Sequence, residues 1–456
     1  MSSKPPVGLF LHEPLFVRSW IDTGYLNTLS QSAHIQIFVP DGAHEIRMLL
    51  EGKGLEFSLI NLPATPLLHA LGRLQWAAST KLSGSLREQR RRVLFGYRDW
   101  PQRKNVSSIT QAIIEFSREL LRFAQATPLG ALLALFPPPA ATRPLFVRLS
   151  SSGLFARGLS LDRSQLGVML LPTTGFETWM NTFLMKFRRL GMKTILVPDN
   201  WDNLTSKNTL GVLPDAIVTI GDQVSRNLST QLGVPLSVLH GLGIPKFSGI
   251  SVATRPDLRN PVKILFLGFS LPYDEIFTLN GLFRLLSKHY PNSFTLYYKP
   301  HPNRKARSIQ EAQVLPGIKI LTADSKYVLP ELDNSYNEFL HSFDIVIAPP
   351  TTMLLEFVLA GTARVIKDMT IDGIHRTSPG VFSKKWLHVR DIDSLDLPGA
   401  DGANEIFSLV SGLIEGTKSI RQDVSLHGVI SPQPHNYAKN LGKLIQELSA
   451  DGRDTG

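Results

Sequence analysis

The fold is decided by two stretches of sequence, SFTLYYKPHP at residues 293–302 and FDIVIAPPTTMLLE at residues 343–356. Each is a run of β-type residues that ends in polar side chains, and the second passes directly into a helical pattern. Open α/β sheets bind ligands at the carboxyl ends of their strands, where a helix N-terminus adds N–H groups and partial positive charge. Lys299, His301, Thr351 and Thr352 are therefore predicted to form a seat for a diphosphate.

Two further residues belong to this predicted seat. Glu356 lies one helical turn beyond the threonines, where a carboxylate can accept hydrogen bonds from ribose hydroxyls; it could also only balance its own helix dipole. Gly268 ends an earlier strand, where close approach of a ligand to the backbone requires the absence of Cβ. A simple turn glycine is the other interpretation of Gly268. Thr351 and Thr352 also suit an ordinary helix N-cap.

Strands and helices alternate along the chain, which predicts an α/β fold with parallel sheets. The predicted domains are residues 1–243, with a helical insert at about 67–150, and residues 262–430. A Gly- and Pro-rich linker at 244–261 joins them, and a C-terminal helix within 431–456 could pack back on the first domain. Strands are expected at 7–12, 35–39, 56–60, 167–171, 193–197, 216–220, 236–239, 262–267, 294–299, 318–321, 344–348 and 364–366, and helices at 177–190, 223–232, 275–288, 337–342, 352–359 and 437–448.

Composition excludes several classes of protein. The chain has no cysteine, so it has neither disulfides nor thiolate metal sites. No H-E-x-x-H motif or histidine cluster is present, and we expect no metal site. The N-terminus lacks the apolar core of a signal peptide, and the most apolar stretch, Leu129–Ala141, is too short for a membrane helix. We therefore expect a cytoplasmic protein.

The net charge of +10 is concentrated in the segment Arg87–Lys104, where seven basic residues face only Glu88 and Asp99. Interleaved aromatic residues add an apolar component. Such a segment can bind anionic lipid headgroups, which would place the protein on the inner face of the cytoplasmic membrane. It can equally be a solvated helix that packs on its own domain. No recognition motif accompanies it, so nucleic acid is not an expected partner.

The strand-end motifs resemble the C-terminal half of GT-B glycosyltransferases, especially the sialyltransferase-like, Kdo-transferase-like and CDP-glycerol glycerophosphotransferase-like enzymes of bacterial capsule and lipopolysaccharide synthesis. UDP-N-acetylglucosamine epimerases share this fold, and Thr351 and Glu356 keep the Ser-to-Glu spacing of their Ser-Gly-Gly-x-x-Glu turn. The stretch DNWDNLTSK at residues 199–207 is similar to a segment of surface-carbohydrate glycosyltransferases. The chain departs from the family where threonines replace serines at Thr351 and Thr352, and where Pro350 precedes them.

The resemblance implies two Rossmann-like domains with parallel sheets that face across a cleft. It also implies an inverting, metal-independent glycosyltransferase that uses no cofactor besides its nucleotide-sugar donor, which is CMP-, CDP-, UDP- or GDP-linked. The expected acceptor is a glycan or glycolipid of a surface polysaccharide, lipopolysaccharide or protein glycan. A nucleotide-sugar 2-epimerase and a non-catalytic sugar-nucleotide-binding assembly subunit are the alternatives.

Transfer also requires a general base for the acceptor, which is expected on the N-terminal domain. His12 and Glu13 end the first strand, and Glu13 is the first candidate because Pro14 stiffens its loop. Asp202 is the second candidate, and Glu177 begins a predicted helix nearby. His301 is expected to stabilise the leaving phosphate. Trp201 could stack on a sugar or plug its loop onto the domain.

Overall fold

The computed structural model divides into two compact units, Met1–Ser248 with Gly428–Gly456, and Gly249–His427. The boundary at Ser248 lies within the predicted linker 244–261. The structure describes residues 4–61, 144, 148, 166–175, 177, 180–201, 203–206, 210–269, 275–301, 313–321, 334–370, 395–420, 426 and 428–451. Asp202, the basic segment Arg87–Lys104 and nearly all of the predicted helical insert lie outside the described residues.

The first unit is built on a seven-stranded parallel sheet in the order β3-β2-β1-β4-β5-β6-β7. The strands are β1 (Pro6–Phe10), β2 (His34–Pro40), β3 (Ser58–Ile60), β4 (Val168–Thr173), β5 (Lys193–Pro198), β6 (Ala216–Val218) and β7 (Leu239–His240). The helices are α1 (Pro14–Val17), α2 (Tyr25–Leu29), α3 (His44–Glu51), α4 (Met180–Arg189), α5 (Asn203–Ser206), α6 (Asp222–Leu232) and α7 (Pro245–Ser248), with a π-helix at Arg18–Asp22 and a 3₁₀-helix at Leu236–Val238.

The central strands of this sheet are apolar because helices cover both faces. Every residue of β4 is buried, as expected for a parallel strand with both faces covered. The last helix of the chain, α12 (Tyr437–Asp451), follows a 3₁₀-helix at Pro434–Asn436 and belongs to this unit. Its Leu441 and Ile445 are fully buried in the core that contains β1, β2 and β4. Burial of each such side chain contributes about 1.5–3 kcal/mol.

The second unit is built on a six-stranded parallel sheet in the order β10-β9-β8-β11-β12-β13. Its core lies where the helices Glu275–His289 and Gly402–Ile414 pack on one face of the sheet. The strands are β8 (Val262–Leu267), β9 (Phe294–Lys299), β10 (Lys319–Ile320), β11 (Ile345–Ala348), β12 (Arg364–Asp368) and β13 (Gly399–Ala400), and the helices are α8 (Glu275–His289), α9 (Asn334–His341), α10 (Thr352–Ala360) and α11 (Gly402–Ile414).

The predicted α/β fold with two parallel sheets is confirmed, and the structure differs from the prediction in local detail. The helix expected from residue 177 does not include Glu177, since the side chain of Glu177 holds the preceding turn instead; the described helix is Met180–Arg189. The strand expected at 236–239 is mostly a 3₁₀-helix that leads into the two-residue strand β7. The apolar periodicity of α11 had no counterpart among the predicted elements. Among the described residues, no helix is long and apolar enough to cross a membrane.

Candidate functional site

Each sheet has one point at which its strand order reverses. In the second unit the chain runs from β8 outward to β9 and β10, and then continues on the other side of β8 with β11. The register pairs Leu267 of β8 with Lys299 of β9, and Phe266 with Ile347 of β11. The carboxyl ends of these three strands therefore lie side by side, at the place where open α/β sheets bind ligands. The structure thus brings the strand ends that carry Gly268, His301 and Thr351 to one edge.

Gly268 occupies a crowded position at this edge. A Cβ on Gly268 would lie 2.9 Å from Glu275 Oε1 and 2.9 Å from the backbone N of His301. Glu275 is fully buried at the start of α8 and accepts hydrogen bonds from Phe269 N at 2.9 Å and from the Tyr298 hydroxyl. Protein atoms therefore already explain the absence of a side chain at Gly268. The sequence did not reveal Glu275 or Tyr298, because each suits an ordinary helix or strand position.

The helix α10 begins at the same edge. Thr351 is its N-cap, with extended backbone angles, and its side chain accepts a long hydrogen bond of 3.4 Å from Leu354 N. No acidic residue lies in the first turn. Thr351 and Thr352 are half-buried. The first turn of an α-helix has backbone N–H groups without an intrahelical acceptor, and together with the dipole they favour an anion. The N-terminus of α10, with its two threonines and no acidic residue in the first turn, therefore suits an anion.

Lys299 and His301 differ in where the structure places them. His301 is half-buried and directly follows Pro300, beyond the end of β9. Lys299 is also half-buried, but its ammonium lies 5.5 Å from the centre of the Phe339 ring on α9. A phosphate that binds Lys299 would have to share the ammonium with this cation–π contact. A phosphate role for either residue stays a prediction.

Glu356 is directed into the interior of the second unit. It is 4% exposed and accepts a hydrogen bond from the hydroxyl of Tyr336, which is itself buried. Burial, followed by the charge of Glu356, raises the pKa of Tyr336 well above its ordinary value of 10, so the hydroxyl keeps its proton and donates. A ribose would therefore meet a carboxylate that is almost entirely covered. Ribose contact by Glu356 stays a prediction.

The first unit has the equivalent switch point between β1 and β4. His12 follows β1, and β4 ends in the turn Thr173-Thr174-Gly175. His12 Nε2 donates to Glu177 Oε1 at 3.1 Å, since a carboxylate can only accept. Four more donors of the turn reach the Glu177 carboxylate: Thr173 Oγ1 at 2.6 Å, Thr174 N at 2.7 Å, Thr174 Oγ1 at 2.7 Å and Gly175 N at 2.9 Å.

This arrangement keeps Glu177 ionised. Burial raises the pKa of its carboxyl, but the hydrogen bond and charge of His12 and the hydroxyls of Thr173 and Thr174 outweigh burial and bring the pKa from 4.5 to about 2. A group with such a pKa is a poor general base near neutral pH. The side chains of His12 and Glu177 are 0% and 5% exposed.

The two candidate general bases that follow β1, His12 and Glu13, differ in their exposure to solvent. The His12 ring is enclosed by Phe10 at 5.6 Å and Phe16 at 4.7 Å between ring centres. His12 therefore has no surface for an acceptor to touch in this conformation, and its predicted role as a base does not fit this geometry. Glu13 is half-buried at the N-cap of α1, and its side chain makes no cap hydrogen bond. Glu13 stays the predicted base.

Side chains in the described part of residues 199–207 form hydrogen bonds with other parts of the first unit. Ser19 Oγ donates to Asp199 Oδ1 at 2.5 Å, and Asn203 Nδ2 donates to the carbonyl of Thr173 at 2.7 Å. Trp201 is 2% exposed and donates through Nε1 to Gln223 at 3.2 Å. Its ring is therefore buried in the first unit and presents no face to a sugar.

No group of three or more His, Cys, Asp or Glu side chains suited to a metal ion occurs in the part of the chain that the structure describes. The expected absence of a metal stays a prediction.

No protein-family model matches the chain, and no curated protein is similar to it in sequence. Solved structures do resemble it. A putative UDP-N-acetylglucosamine 2-epimerase from Listeria monocytogenes aligns over 98% of this chain and 96% of its own, with 10% identity and a TM-score of 0.53. An S. aureus MnaA–UDP complex aligns over 97% and 96%, with 9% identity and a TM-score of 0.50. The expected GT-B type of fold is confirmed.

The lipopolysaccharide outer core galactosyltransferase WaaB in its apo form aligns over 96% of this chain and 99% of its own, with 10% identity. The TM-score of this alignment is 0.44.

Proposed function

We propose that this protein is a nucleotide-sugar-dependent glycosyltransferase whose second unit binds the donor nucleotide. The observation that carries the proposal is the convergence of the ends of β8, β9 and β11 at the switch point of the second sheet, beside the N-terminus of α10. Half-buried polar groups at this edge, His301 and the threonines 351 and 352, suit an anionic ligand. The two solved structures of similar fold support a sugar nucleotide, since their names include UDP or a UDP-sugar.

The chemistry follows from the charge that develops during transfer. Cleavage of the bond between the anomeric carbon and the phosphate passes through an oxocarbenium-like state and leaves negative charge on the nucleotide. The N–H groups of α10 and the imidazole of His301 are the donors that we assign to this charge. Electrostatic stabilisation by one such donor contributes about 2.7–4 kcal/mol in other enzymes. Glu13 is the proposed base for the acceptor hydroxyl. We expect inversion at the anomeric carbon.

The proposed acceptor is a surface polysaccharide, a lipopolysaccharide or a protein glycan, on the strength of the sequence resemblance of residues 199–207 to surface-carbohydrate glycosyltransferases. The basic segment Arg87–Lys104 is the proposed contact with an anionic membrane surface.

A 2-epimerase is the second candidate, and the alignment with the Listeria epimerase over nearly the whole of both chains favours it. An epimerase would need the same nucleotide site but no acceptor. The two functions differ in their products, because transfer releases nucleotide only when an acceptor is present, whereas epimerisation yields a new nucleotide sugar without one.

The first experiment is a thermal-shift screen with CMP, CDP, UDP and GDP. A ligand at one hundred times its dissociation constant stabilises the folded state by about 2.7 kcal/mol, which gives a clear increase in the melting temperature. The His301→Ala variant is the matched test of the site, and Glu51→Ala, an exposed residue of α3, is the control. The nucleotide that binds then identifies the sugar nucleotides for a product assay with and without acceptor glycans. Absence of any nucleotide-dependent shift contradicts the proposal.

A further inference from the structure

The switch point of the first unit holds an arrangement of donors that would suit an external anion. The successive backbone N–H groups of Thr174 and Gly175 converge, with Gly175 in the left-handed region at φ 88°. Successive N–H groups in such a turn form an anion-binding concavity. Two threonine hydroxyls and the imidazole N–H of His12 point to the same place. Five donors therefore surround one small volume at the carboxyl end of β4.

That volume is already filled by the chain itself. Glu177 Oε1 accepts from His12 Nε2, Thr174 N and Thr174 Oγ1, and Oε2 accepts from Thr173 Oγ1 and Gly175 N. The five distances lie between 2.6 and 3.1 Å. A carboxylate offers about four lone-pair sites, so these donors saturate it. Its side chain is 5% exposed, which leaves almost no surface for a second anion.

The topologically equivalent turn of the second unit differs in this respect. Just as β4 lies across the switch point from β1, β11 lies across the switch point from β8. The helix after β11 carries Thr351 and Thr352 at its N-terminus and has no acidic residue in its first turn. The helix after β4 is preceded by the buried carboxylate of Glu177. The turn after β4 therefore holds a negative charge, whereas the first turn of the helix after β11 holds none.

We propose that Glu177 is a built-in ligand of the first unit's oxyanion-binding turn, which keeps other anions out of this turn and leaves the corresponding turn of the second unit to bind nucleotide phosphate. The proposal rests on the proposed function for the identity of the nucleotide, but the self-occupied turn itself does not. A phosphate near Glu177 would meet a fixed negative charge in a poorly solvated place, where like charges repel strongly.

The first test empties the turn. Glu177→Ala removes the carboxylate and leaves its five donors, so formate should bind in its place. We expect Glu177→Ala to melt below the wild type, and saturating formate to raise its melting temperature by about 2–4 °C. Wild type and Glu177→Gln, whose turns stay filled, should show no such rise against sodium chloride of equal ionic strength. Equal responses of all three proteins to formate would overturn the proposal.

The second test measures how many nucleotides bind to each chain, and it does not require Glu177→Ala to fold. Calorimetric titration of the wild type with the nucleotide found in the thermal-shift screen should give one site per chain. The double variant His301→Ala/Thr352→Ala should lose most of the binding, whereas Thr173→Ala should keep it. Two sites per chain, or binding that survives in the double variant and is lost in Thr173→Ala, contradicts the proposal. If no nucleotide binds the wild type, the proposed function fails, while the formate experiment still decides whether Glu177 fills an anion site.

Discussion

Replacement of Glu177 by glutamine should destabilise the first unit in a pH-dependent way. An amide keeps the size of the carboxylate but replaces one acceptor oxygen with an NH₂ donor. Oε1 faces the backbone N–H of Thr174, and Oε2 faces that of Gly175. The NH₂ group therefore opposes a backbone donor in either orientation, and a backbone N–H in a turn cannot rotate away. The substitution also removes the charge that pairs with His12.

The expected magnitude follows from the pKa of Glu177. The carboxyl titrates at about 2 in the folded protein instead of 4.5. At about 1.4 kcal/mol for each tenfold change in the proton equilibrium, this difference corresponds to about 3 kcal/mol of stability. Because the folded pKa is lowered, the contribution is complete above pH 4.5 and is lost as the pH falls from 4.5 to 2. The stability difference between wild type and Glu177→Gln should therefore be about 3 kcal/mol at pH 7 and should shrink below pH 4.5.

Urea denaturation followed by tryptophan fluorescence measures this difference. Five of the six tryptophans precede Ser248 by sequence number, and Trp20 and Trp201 are buried in the first unit. Glu51→Gln is the matched control, since Glu51 is exposed, and it should change stability by less than about 0.5 kcal/mol. A loss in Glu177→Gln that stays constant from pH 7 to pH 3, or no loss at all, would refute the reasoning.

Three further outcomes are expected. His301→Ala should reduce the turnover number by an amount equivalent to about 2–4 kcal/mol without a change in the melting temperature; normal steady-state turnover removes His301 from the phosphate site. Gly268→Ala should destabilise the second unit by about 1–3 kcal/mol, because the new Cβ lies 2.9 Å from Glu275 Oε1 and from His301 N; a melting temperature equal to that of the wild type contradicts this packing. Glu13→Gln should bind nucleotide normally and lose most of its turnover, and unchanged kinetics would exclude Glu13 as the base.

Much of the fold could be predicted from the sequence because its strands are short apolar runs that end in turn residues. The strands β8 and β9 match their predicted bounds, and α10 differs from its prediction by one residue. The beginning of α4 was not predictable in this way. The helical periodicity of the sequence extends through Glu177. Only the hydrogen bonds of its carboxylate with His12 and with the preceding turn show that Glu177 stabilises this turn and is not part of the helix.

The candidate site was predictable only where polar residues stand at strand ends. Thr351, Thr352 and His301 are such residues, and the topology brings their strand ends to one edge. The partners Tyr298 and Tyr336 were not predictable, because a tyrosine in a strand or a helix has the pattern of an ordinary core residue. Their hydroxyls contact carboxylates far away in the sequence. Pairing over such separations depends on tertiary packing, and a single sequence gives no signal for it.

The two switch points show how one topology can serve two opposite electrostatic needs. The proposed transfer needs stabilisation of a departing phosphate, which positive partial charge supplies, and removal of a proton from an acceptor hydroxyl, which a basic group supplies. A carboxylate beside the phosphate would oppose the first need. In the second unit the carboxylates of Glu275 and Glu356 are buried and accept hydrogen bonds from tyrosines, and the half-buried groups at the edge include hydroxyls and an imidazole. In the first unit the anion-binding turn is satisfied by Glu177, so a base such as Glu13 can act there without competing for a phosphate.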